Sequence, residues 1–145
     1  MDDDVLVRAL SLEALKTADS WMKTANLMIE KRIYNTALYA EEMSVEIGLK
    51  AIMLALGEDP PKVHNILESV TELVNKSEKI TKGDREKLTE ISRFLLPELL
   101  RTRQISGYTF NFNISDKELE SLALRYIEPA MDALRKIREI ISNLK

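Results

Sequence analysis

The sequence predicts an all-α protein: a compact four- to five-helix up-and-down bundle, as a single domain over residues 1–145. Three observations predict it. The stretch from Tyr34 to Leu56 is apolar on nearly every face, so other helices must wrap it. Apolar residues elsewhere recur at steps of three or four. Four glycines and four prolines in 145 residues, with almost no β-branched residues alternating with polar ones, leave little material for a sheet.

The elements follow in order. Asp2, Asp3 and Asp4 suit a helix N-terminus, where negative charge meets the positive end of the dipole. The first helix runs to about Glu30, with Ala14, Ala18, Trp21, Ala25 and Met28 as its stripe and Leu15, Met22 and Ile29 beside it. Its small residues allow a close approach by the next helix, and Trp21 reads as a core aromatic rather than a base-stacking platform. Asn35 is a candidate N-cap for the central helix, which ends at Gly57, a residue suited to a left-handed cap. Pro60 and Pro61 then force an extended connector.

Asn65 with Glu68 resembles a capping box for a short helix to about Asn75, with Val63, Ile66, Leu67, Val70, Leu73 and Val74 as its buried side. A fourth helix spans about Asp84 to Arg101, with Leu88, Ile91, Leu95 and Leu99 inward and Phe94 alongside; Pro97 should kink or divide it. From Arg101 to Ile114 the chain reads as least helical. Tyr108, Phe110, Phe112 and Ile114 alternate with polar residues at the period of an extended segment. Ser115 and Glu118 form a capping box for the last helix, whose stripe runs from Leu119 to Leu144 and which Pro129 should bend.

Composition narrows the function. Net charge is −3, from 21 basic and 24 acidic residues, which provides no broad electropositive field for duplex DNA. The absence of cysteine excludes disulfides and thiolate metal sites. No apolar run approaches the ~18–20 residues that span a bilayer, and the acidic start is unlike a signal peptide. A cytoplasmic protein is expected, with no membrane association.

The central helix confines Asn35, Tyr39, Glu42, Glu46 and Lys50 to one narrow stripe, with Glu41 off it. Glu42 and Glu46, one turn apart, could hold a cation or raise each other's pKa. Lys50 four residues after Glu46 points instead to an ion pair, so no metal and no cofactor are expected. His64, the single histidine, starts a helix where backbone partners commonly satisfy a polar residue, and no nucleophile stands near it in sequence. Arg101 and Arg103 suit a helix C-terminus; with Tyr108 after them they could equally hold a phosphate and stack a base.

The order of these features resembles the HEPN family (higher eukaryotes and prokaryotes nucleotide-binding domain). The resemblance rests on Ala37, Glu42, Glu46, Leu49, Lys50 and Ala51 in one helix, then Gly57, Pro60, and His64 with Ile66. It implies a helical bundle, usually a homodimer, that is associated with nucleotide or RNA. Many such proteins are RNases acting as toxins beside a small nucleotidyltransferase antitoxin, and others only bind. Catalytic members carry an Arg-x-x-x-x-His motif; here Arg103 keeps the spacing but Tyr108 stands at the His position, with Phe110 two further on. Tyrosine, with an ordinary pKa of about 10 against about 6.5 for histidine, is a poor general base at neutral pH. The resemblance therefore implies Arg103 as anion contact, Arg101 assisting, Tyr108 stacking or hydrogen bonding, and Glu42, Glu46 and Lys50 supporting the same groove. The expected function is a nucleotide- or RNA-associated partner of a nucleotidyltransferase in a toxin–antitoxin-like module. The alternatives are a metal-independent RNase with an atypical site, with Arg103 and Tyr108 as its catalytic residues, and a non-catalytic oligomerising scaffold.

Overall fold

A computed structural model describes residues 3–144, with only the backbone of Asn111. Within them the protein is all-α, with no strand. The helices are α1 (Asp3–Glu30), α2 (Tyr34–Ala55), α3 (Leu67–Lys76), α4 (Lys82–Glu90), α5 (Leu96–Gly107), the single turn α6 (Thr109–Phe112) and α7 (Asp116–Asn143). Asp2, expected to help cap α1, lies outside the described residues.

The pairing of α1 with α2 follows from small residues. Ala18, Ala25, Ala37, Ala40 and Ala51 are fully buried, and two serines tie the backbones together. Ser11 donates to the Ala51 carbonyl and Ser44 to that of Ala18, both at 3.0 Å. These pairings run in opposite senses, so the helices are antiparallel. On another face of α2, Leu38 packs with Leu119 and Ala123 of α7. Ten residues on, a Cβ added at Gly48 would meet Leu134 and Ile137 at 3.1–3.2 Å. Thus α2 and α7 run parallel and touch closely at the glycine. Leu38, Leu49, Ile52, Ile137 and Ile140 are essentially removed from water, each contributing about 1.5–3 kcal/mol of burial.

Several local expectations need correction. Asn35 does not cap α2: Ile33 holds that position without a side-chain bond. Instead α1 closes on Arg32 in the left-handed region (φ 61°), with Ile33 N–H donating to the Met28 carbonyl at 2.8 Å. That hydrogen-bonded reversal leads directly into α2. At the other end of α2 the expected glycine cap is present, with Gly57 at φ 84° and Glu58 N–H donating to Met53 at 2.9 Å. Asn65 does not form a capping box with Glu68; its side chain accepts from Leu67 N–H at 3.3 Å, just before α3 starts. Val63 and Phe94, assigned to the apolar sides of their helices, are 53% and 71% exposed.

Pro97 divides the fourth helix by a different device from a simple break. A π-helical turn (Ile91–Leu95) joins α4 to α5, and Pro97 lies in the first turn of α5, where its missing N–H matters least. Helix α5 then continues to Gly107, so the expected extended segment is largely helical. Its aromatic alternation has no sheet to serve: Tyr108, Phe110 and Phe112 are 54%, 79% and 50% exposed, and Asn113 ends α6 at φ 49°. The Ser115–Glu118 capping box is present, and α7 continues through Pro129 to Asn143. No helix among the described residues is long and apolar enough to cross a membrane.

Candidate functional site

The polar stripe of α2 faces inward. Glu42 and Glu46 are 0% and 1% exposed, and the connector after Gly57, Pro60 and Pro61 carries His64 back onto them. Glu46 accepts twice: from Lys50 Nζ at 3.0 Å and from His64 Nδ1 at 2.9 Å. Helix α5 delivers Arg103 to the same place. Its Nη2 stands 3.0 Å from His64 Nε2 and its Nε 3.6 Å from a Glu42 oxygen. The guanidinium lies over the Tyr39 ring, 4.6 Å from its centroid, and Tyr39 in turn packs against Trp21 at 5.7 Å.

These contacts fix the histidine tautomer. An arginine can only donate, so His64 Nε2 accepts and Nδ1 carries the proton given to Glu46. The imidazole is thus oriented by a buried carboxylate and presents its lone pair to Arg103.

Burial splits the two carboxylates. The Glu42 carboxyl is pushed up to about 9, first by desolvation, then by the neighbouring Glu46 carboxylate; Arg103 and Lys50 oppose this and are outweighed. Neither Glu42 oxygen has a hydrogen-bond partner, and the Arg103 Nε–H also has none. At neutral pH Glu42 is protonated, so it does not offset the Arg103 guanidinium beside it. Glu41, off the stripe as expected, is fully buried with both oxygens unpartnered, and burial raises it to about 9.

Ligand atoms of Glu42, Glu46 and His64 lie within 4.8 Å of one another, close enough to hold a divalent cation. Lys50 and Arg103 already set positive charge against these carboxylates, which disfavours a metal at this place.

Of the expected site residues, Glu42, Glu46, Lys50 and Arg103 come together. Arg101 does not join them: it pairs with Glu98 at 2.9 Å, and Glu98 also accepts from Tyr126 at 2.8 Å. Tyr108 also stays apart; its ring partner is Phe110, edge-on at 6.1 Å. Reading the sequence missed Tyr39 and His64 as members. The signal for His64 was present as the single histidine just beyond a double proline.

Fold and cluster together define an all-α bundle in which buried carboxylates meet a half-exposed histidine and an arginine. The family model for the HEPN domain matches residues 11–144, and the chain belongs to the HEPN domain family. Membership supports a nucleotide- or RNA-associated role, in a family whose domains often dimerise. A search of curated proteins found no match.

Proposed function

We propose that this protein binds nucleotide or RNA through its phosphate, with Arg103 as the anion contact and His64 beside it. The observation that carries the reading is the Arg103 guanidinium, 21% exposed and held between His64, Glu42 and Tyr39. A phosphate oxygen can take the Nη2 donor that now meets His64 Nε2, while the Nε–H stays buried towards Glu42. Lys50 and Glu46 support the site from below. Arg101 and Tyr108 serve at most its periphery.

Trp21 reports on the site through Tyr39, so titration with AMP and with a short single-stranded RNA should quench or shift its fluorescence. Arg103→Ala should weaken binding at least tenfold with an unchanged melting temperature. No response at millimolar ligand, or an unaffected Arg103→Ala protein, contradicts the reading.

A second reading, a metal-independent RNase, is favoured by one observation: Glu46 orients His64 as a general base is oriented. With Arg103 turned to the phosphate, Nε2 would take the proton of a ribose 2′-hydroxyl. That oxygen would attack the phosphorus and the P–O5′ bond would break. The 5′-oxygen would take up a proton from water while His64 returns its own to solvent, and a cyclic phosphate would remain. Cleavage of RNA in EDTA that His64→Ala abolishes supports this; cleavage unaffected by His64→Ala or Arg103→Ala excludes it. Pairing with a small nucleotidyltransferase in a toxin–antitoxin-like module, and assembly as a homodimer, are supported by family membership alone. Co-purification of the partner and the mass in solution test them.

A further inference from the structure

The other end of the bundle holds a second feature, which shares no residue with the Arg103 cluster. Because Ser11 of α1 sits against Ala51 of α2, the first turns of α1 overhang the end of α2 at Ala55. Under this overhang lies a cavity of about 350 Å³, with apolar walls from Val7, Leu12, Leu15, Ala55, Ile141 and Leu144. Its volume falls in the range of ligand pockets, about 300–1,000 Å³, and far above ordinary packing voids.

The polar groups around it are mostly engaged. The Ser11 hydroxyl donates to Ala51, the Ser142 hydroxyl to Glu139, and Arg138 pairs with Asp19; Asp4 also has an interaction of its own. Two rim cations are left over. Among the described residues neither Arg8 nor Lys79 holds an ion pair, and both residues line the hollow. An apolar body with one anionic head complements this arrangement, since the tail fills space that water would occupy poorly and the head meets two cations.

We propose that this end of the bundle binds a medium-chain carboxylate, with the tail in the cavity and the head on Arg8 and Lys79. The test is calorimetric titration of the full chain with decanoate, decanol and decylammonium, each below its aggregation threshold. Decanoate should bind at least tenfold more tightly than decanol, and decylammonium not at all. Ala55→Trp, which fills the hollow, should abolish binding. Arg8→Glu with Lys79→Glu, both on the surface, should remove the preference for decanoate over decanol with an unchanged melting curve. Equal affinity for decanoate and decanol, binding that survives Ala55→Trp, or no decanoate binding at all overturns the proposal.

Discussion

Stability should fall as pH rises from 5 to 9, the reverse of the common pattern, and Glu41→Leu should remove much of the fall. Glu41 and Glu42 are buried, and each is raised from an ordinary value of 4.5 to about 9. Across that interval the unfolded chain releases protons that the folded chain keeps. The stability these groups contribute is therefore complete below about pH 4.5 and is lost as pH rises towards 9, at up to about 1.4 kcal/mol per pH unit for each. Glu72, Glu98 and Asp132 act in the opposite sense. Lys76, Arg101 and Lys136 hold them below their ordinary values, so their contribution is lost only as pH drops through the acid range. All three are surface pairs and count for little. Maximum stability is expected near pH 5.

Glu41 has no partner to lose. By helical spacing it shares the α2 face of Val45 and Gly48, which meets α7, so a leucine there replaces an unpaired carboxyl by apolar contact. Glu41→Leu should add about 2–3 kcal/mol at pH 7, or roughly 5–10 °C in Tm. Urea unfolding of parent and variant between pH 5 and 9 measures both slope and offset. A parent whose stability increases with pH, or a variant with the parent's slope, would count against an unpaired buried Glu41.

The second large effect separates two carboxylates one turn apart. Glu46→Ala removes the acceptor of both Lys50 and His64 and strands a mostly buried ammonium. Breaking such a buried pair costs about 3–5 kcal/mol. Glu42→Gln changes little, under about 1 kcal/mol, because Glu42 is already protonated at neutral pH and its nearest cation stands 3.6 Å away. Chemical denaturation at pH 7 should show this asymmetry. Equal losses would mean that both carboxylates are ionised.

The sequence carried the all-α class, the α1–α2 contact through small residues, the glycine end of α2 and the capping box of α7, because each is written within a few residues. It also carried the Glu42–Glu46–Lys50 stripe. It did not carry the direction in which that stripe points, since periodicity marks a face without saying what covers it. The meeting of His64 with Arg103 joins residues 39 apart, and no local pattern encodes it. Tyr108 was drawn in by linear spacing from Arg103. Five residues along a helix turn a side chain about 140° from its start, so that spacing points the two apart when α5 continues to Gly107.

The central claim is that the anion contact is the Arg103–His64 pair rather than Arg103 with Tyr108. Nitrogen-detected NMR of the imidazole and guanidinium groups during titration with AMP tests it most directly. Saturable shifts are expected at His64 Nε2 and Arg103 Nε, with His64 Nδ1 still bonded to Glu46. Saturation with both unmoved, and shifts confined to Tyr108 and Arg101, would contradict it.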